Sequence, residues 1–204
     1  METIALSLKG YTDLPPGKIA NVVTYLALDA PPEAPPGPRP ELRLVRIAEP
    51  SVARYRKLVG RVGDRWLWTS RAASTDAELA ATLTKPGNSL HVLTREDAEI
   101  GLIELHADGP EAVEVNLFGV VDEATGTGAA RWMMLTALAE AFRPPVRRIW
   151  LHTCTFDHPA ALPFYQKVGF RPWKFAIEVD DDPRLSGLMP ETAGPHVPLL
   201  KPET

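Results

Sequence analysis

The chain has 204 residues and a formal net charge of -4, so it offers no basic excess for a nucleic-acid partner, and its length suits one domain with additions. Its single cysteine, Cys154, excludes an internal disulfide. No segment approaches the ~20 apolar residues of a membrane span, and METIALSLKGYTDLPPGK lacks the apolar stretch of a signal peptide, so a cytoplasmic protein away from the membrane is expected.

Ile19–Asp29 (IANVVTYLALD) is rich in β-formers and predicts a strand. PPEAPPGPRP at 31–40 cannot be helix or inner strand, because proline fixes φ and lacks an N–H, and it reads as a stiff extended connector. Glu41–Ile47 alternates leucine and valine with charge, as a half-buried strand does. Ser51 is placed to cap a helix over Val52–Val62, and a second helix fits Asp76–Leu83. Three strands follow as an antiparallel meander: Leu90–Thr94, Ala98–His106 and Ala112–Val121. Ala129–Phe142, rich in Ala, Leu and Met, predicts a largely buried helix. Arg148–Thr155 predicts a strand, Pro159–Val168 a helix closed by Gly169, and Phe170–Val179 the last strand. A second proline scatter, from Pro183 to Pro202, marks a tail wrapped on the surface or left loose. The chain thus divides into an N-terminal strand and connector (1–40), a main domain (41–182) and a Pro-rich tail (183–204).

Chemistry enters at Leu117–Ala129, LFGVVDEATGTGA, where a strand runs into a loop with Gly126 and Gly128 that opens directly into a helix. Helix N-termini carry unpaired N–H groups and partial positive charge, and glycines let a phosphate approach the backbone, so a phosphorylated ligand is expected. No Gly-Lys-Ser/Thr follows, which sets aside a P-loop, and no third glycine completes a dinucleotide fingerprint. An ordinary flexible turn would carry the same residues. A second motif, HPAALPFYQKVGF at 158–170, follows a strand and carries Tyr165 near the end of a short helix.

Together the two motifs resemble the GCN5-related N-acetyltransferase (GNAT) superfamily, in element order from about Leu42 to Val179 and in specific residues over 114–129 and 148–170. Gly126 and Gly128 match the family's pyrophosphate loop, with Glu123 at its Gln/Arg place; His158 stands at the usual asparagine, and Tyr165 and Gly169-Phe170 complete the signature. The resemblance implies an α/β (α+β) fold, a mixed, V-shaped, mostly antiparallel sheet with helices on both faces. It implies acetyl-CoA as acyl donor, with the pantetheine against Phe118 and Val120 and the pyrophosphate cradled by Glu123, Ala124, Thr125, Gly126, Thr127, Gly128 and Ala129.

The resemblance further implies an amine acceptor, small molecule or peptide, with Tyr165 as general acid and an acid on a central strand as base. Glu114, which alternation puts on one face with Asn116, Phe118 and Val120, is the first choice for base, because the resembled family often places an acid on this strand; Glu104, on the neighbouring strand, is second and His106 third. Trp66 and Trp68 fall in the region that lines the family's acceptor cleft, or are core. Cys154 reads as a small buried filler, and the histidines show no metal-ligand spacing, so no metal is expected. A non-catalytic acyl-CoA-binding module on the same fold, or use of a longer acyl-CoA, stays open, as does a homodimer.

Overall fold

The computed structural model describes residues 3–201; the first two residues of the N-terminal segment and the last three of the tail lie outside it. In chain order the elements are β1 (Lys18–Leu28), β2 (Leu42–Ile47), α1 (Val52–Gly63), α2 (Thr69–Ala73), α3 (Asp76–Thr84), β3 (Ser89–Arg95), β4 (Ala98–Ala107) and β5 (Ala112–Val120). A 3₁₀ turn (Asp122–Ala124), α4 (Ala129–Ala141), β6 (Arg148–Cys154), α5 (Ala161–Val168) and β7 (Arg171–Asp181) complete them. Ser51 caps α1 by accepting from the Arg54 N–H, and Thr75 with Glu78 forms a capping box at α3. The helix expected from Pro159 begins two residues later. The five-residue α2, which no periodicity announces, is held by tertiary contacts of Arg71 described below.

All seven strands form one sheet in the order β2-β3-β4-β5-β6-β1-β7. Its pairings are antiparallel except β5 with β6, which run parallel. This is the mixed, mostly antiparallel sheet that the resemblance implies. Helices cover both faces. Gly119 of β5 faces Val62 of α1, whereas its neighbour Phe118 stacks on Phe164 of α5, since adjacent strand residues point to opposite faces. The apolar α4 buries Ala129, Met133, Met134, Ala137 and Leu138 completely, and these join Leu26, Leu93, Leu102, Ile103, Ile149 and Leu151 in one core.

The N-terminal strand takes an interior position, between β6 and β7. The Pro-rich connector therefore crosses from that side of the sheet to β2 at the opposite edge, and it passes over α4, where Trp132 Nε1 donates to the Gly37 carbonyl at 3.0 Å. The tail wraps the surface. Arg184, buried beside Asp182 at 2.7 Å, donates to the carbonyls of Ala193, Val197 and Pro198, while Met189 and Ala193 pack with Leu67 and Phe156 in a small second core.

Candidate active site

β5 and β6 pair over Ala112–Glu114 and Arg148–Trp150 and then diverge. The opening between them is a cleft of about 390 Å³, walled by Val115–Val120 of β5 on one side and by His152 and Cys154 of β6 on the other. Because β6 has left, the β5 edge facing the cleft is free to accept an extended ligand as an added strand.

At one rim stands the glycine turn. Gly126 (φ 75°) and Gly128 (φ 84°) both adopt the left-handed conformation, which an L side chain resists, and a Cβ on Gly126 would point into open space. Gly128 is the N-cap of α4 and offers no side chain to its first N–H groups. Thr125, Gly126 and Ala130 line the cleft; Ala124 and Ala129 turn their methyl groups into the core, leaving only backbone toward a ligand. Glu123 is exposed and stands off the cleft wall. Instead, Arg39 of the connector donates to the Thr127 carbonyl at 3.3 Å, and Arg95 of β3 donates to Thr127 Oγ1 at 3.3 Å. Two guanidinium groups thus flank the turn. Nothing local in the sequence announces them, because they lie far from Thr127 along the chain.

Phe118 and Val120 both line the cleft, and Phe118 meets Tyr165 edge-on at 6.1 Å. Tyr165, on the last turn of α5, also lines it and is buried among Phe118, Phe164 and Phe170. Burial, with the nearby charge of Asp157, pushes its phenol well above the ordinary tyrosine range, so it stays protonated. His158 lines the cleft too; its Nδ1 accepts from the Ala160 N–H at 2.9 Å and its ring packs on Trp66 at 4.8 Å.

The face shared by Glu114, Asn116, Phe118 and Val120 does not exist. Glu104 pairs with Leu117 but Leu105 pairs with Val115, so Asn116 is the extra residue of a β-bulge. One inserted residue sends everything beyond it to the other face. Glu114 therefore points away from the Phe118 side, toward β6, where its carboxylate lies 3.7 Å from His152 Nδ1. Glu114 is mostly covered; His152 is half-exposed and lines the cleft. Asn116 accepts instead from Arg71.

Glu104 is fully buried and committed. Tyr55 donates to one of its oxygens, and Arg71 at 2.8 Å and His106 at 3.2 Å meet the other. Burial alone would push this carboxyl up; the hydrogen bond from His106, the charge and hydrogen bond of Arg71 and the hydrogen bond from Tyr55 outweigh it and hold it below the usual carboxylate range. Arg71 Nε also donates to Tyr55 Oη at 2.8 Å, so this cluster ties α2 to α1 and to the sheet. Glu104 and His106 do not line the cleft.

Trp66 and Trp68 both line the far end of the cleft. Trp68 Nε1 donates to Asp157, which also accepts from Thr153 Oγ1 at 2.6 Å and from the Cys154 N–H at 3.0 Å. Asp157 thus shapes the turn from β6 into α5; an aspartate between a strand and a helix is the signal that could have found it. Cys154 also faces the cleft, but burial pushes its thiol up to about 11, so it stays protonated. Glu178 of β7 closes this end and accepts from Asn21 Nδ2 at 2.9 Å. Among the described residues, no group of three or more His, Cys, Asp or Glu could hold a metal ion.

The fold has known counterparts. A GCN5-related N-acetyltransferase from Sphaerobacter thermophilus superposes with a TM-score of 0.58 at 18% identity, covering 82% of this chain and 52% of that one. One from Kribbella flavida gives 0.57 at 18% identity over 84% and 63%. A GNAT family acetyltransferase from Elizabethkingia anophelis with acetyl-CoA bound gives 0.52 at 15% identity over 67% and 80%. At such identities the likeness shows the fold, and this chain spans only 52–63% of the first three structures it resembles. None of the curated proteins compared with it matches. In sequence, the model of the acetyltransferase (GNAT) family matches residues 57–170, more than half of the chain, from within α1 to Phe170. The chain therefore belongs to the acetyltransferase (GNAT) family.

Proposed function

We propose that the protein transfers an acetyl group from acetyl-CoA to the amine of an acceptor, directly and without an acyl-enzyme. One observation carries the reading: the splay between β5 and β6 is bounded at one rim by the glycine turn of α4 and walled by a buried, protonated Tyr165. The residues suit the donor. The free β5 edge would pair with the pantetheine, and the open backbone at Gly126, flanked by Arg39 and Arg95, would hold the pyrophosphate. Acetyl-CoA would supply the thioester; its acetyl group goes to the amine nitrogen and CoA leaves as the free thiol. As the amine nitrogen attacks, its proton passes to His152, whose charged ring is steadied by Glu114 at 3.7 Å. Tyr165 holds the proton that the leaving sulfur takes. Glu104 and His106 are assigned to fixing α2, because every oxygen of Glu104 is already engaged.

Glu123, an acid at the family's Gln/Arg place, does not speak for a non-catalytic binder, because its side chain is exposed off the cleft wall. The test is thermal unfolding with acetyl-CoA and with desulfo-CoA, followed by a thiol-release assay over a panel of amines. Both ligands should raise Tm, by an amount that grows with the logarithm of their excess over Kd. Gly126→Val, which sets a branched side chain in the phosphate path, should abolish the shift. An unmoved transition at millimolar acetyl-CoA would sink the reading, and a shift without thiol release would make the protein a binding module.

A further inference from the structure

β7 is the outer strand of the sheet and, among the described residues, pairs as a strand with β1 alone, so its other backbone edge is left without a strand beside it. It is long, running from Arg171 to Asp181, and its proline and its bulge, which block an edge, are confined to its beginning. On one face it exposes Phe175 to 70%, Ile177 to 51% and Val179 to 42%, with Val22 of β1 alongside at 47%. The bulge opposite Tyr25 and Leu26 and the edge-blocking Pro172 both lie before residue 174, which leaves the stretch from 174 to 178 in unbroken register with β1.

That stretch reads Lys-Phe-Ala-Ile-Glu. It is self-complementary about Ala176. Set antiparallel against itself on a two-fold axis, it places Lys174 opposite Glu178 and Phe175 opposite Ile177, twice each. A parallel, in-register pairing would instead set lysine on lysine and glutamate on glutamate. Opposite charges and apolar pairs across an antiparallel ladder are each favourable, and like charges are not. Both charged groups are already steadied on β1: Lys174 Nζ lies 4.4 Å from the Tyr25 ring and Glu178 holds Asn21.

We infer that β7 pairs with β7 of a second copy of this chain, joining two seven-stranded sheets into one through an isologous two-fold contact. The phenyl and sec-butyl groups of the two copies cover each other. On the opposite face Lys174 of the second copy comes to rest beside Glu178, at the far end of the cleft.

The test is the oligomeric state of the full chain by sedimentation velocity over a wide concentration range. A dimer is expected. Lys174→Glu alone and Glu178→Lys alone each set like charges opposite at two places, and each should weaken association about tenfold. Mixing these two variants should restore wild-type affinity, because both pairs in the mixed dimer are opposite in charge; the double variant should regain it by itself. Phe175→Asp, at a side chain already 70% exposed, should leave the monomer's Tm unchanged and remove the dimer. A wild type that stays monomeric, a dimer indifferent to both single charge reversals, or a mixture that fails to recover would each overturn the inference.

Discussion

Tyr165 and His152 both line the cleft as the proposed donor and acceptor of protons, and each can be tested by a change that keeps shape. Tyr165→Phe removes only the hydroxyl, and His152→Gln keeps a polar side chain. Each should lower the acetyl-transfer rate by roughly 10²-fold or more, the range for general acids and bases. Acetyl-CoA affinity should shift by no more than about 1 kcal/mol, the worth of one hydrogen bond. Turnover and affinity measured on the same preparation decide it; a proportionate loss of both would make the residue a packing contact. Glu104 gives a prediction of another kind. Its folded carboxyl is held below the usual range, so its contribution to stability is complete above the unfolded value of about 4.3 and is lost as pH falls through the lower folded value. Glu104→Gln leaves the Arg71 guanidinium buried without its counter-charge and should cost about 3–5 kcal/mol at neutral pH. Urea unfolding from neutral pH down to pH 3 should show the variant with a flatter acid limb than the wild type; parallel limbs would contradict the assignment.

The strand β5 shows how an element can be legible in outline and hidden in detail. Its bounds follow from its β-formers, but its faces do not, because the bulge at Asn116 is written in the pairing with β4 and not in the alternation of β5 itself. Gly119 lies just beyond that bulge, where α1 presses on the sheet. A Cβ there would overlap Val62 and come within 3.0 Å of Trp68 Cη2, with no flexible end to move aside. Gly119→Ala should therefore cost about 1–3 kcal/mol, as overpacking does. It should also weaken acetyl-CoA binding, since β5 carries the wall the donor lies against. Denaturant melts and ligand-induced Tm shifts on the same variant check both; a neutral substitution would mean that α1 stands further off than it does here.

At the scale of the molecule, the Pro-rich tail is part of the fold around the cleft. Arg184 and Asp182 are both buried to 2% exposure, and Arg184 gathers the carbonyls of Ala193, Val197 and Pro198. The tail returns to the cleft's far end, where the Gly194 N–H donates to the Arg65 carbonyl and His196 lies 5.7 Å from Trp66. Arg184→Met abandons those carbonyls and leaves Asp182 charged and unpaired, at a cost of about 3–5 kcal/mol. Limited proteolysis should then cut first after residue 184, in a tail that resists in the wild type. Equal resistance in both would show that apolar contacts of Met189 and Ala193 suffice.

What the sequence by itself determined is local. Strand and helix positions follow from β-former content, proline and capping residues, as Ser51 and the apolar run at 129–141 show. The glycine turn follows too, because left-handed backbone asks for Gly126 and Gly128 wherever they sit. Only the tertiary structure decided what depends on residues distant in the chain. β1 lies between β6 and β7, a choice made by pairing across more than a hundred residues. Arg39 and Arg95 reach Thr127 from the connector and from another strand. Glu104 is claimed by Tyr55, Arg71 and His106, while Glu114 is turned to His152 by one extra residue on its strand. Periodicity fixes which residues could share a face, but a bulge, a crossing connector and a buried ion pair are settled by packing, and packing has no local signature.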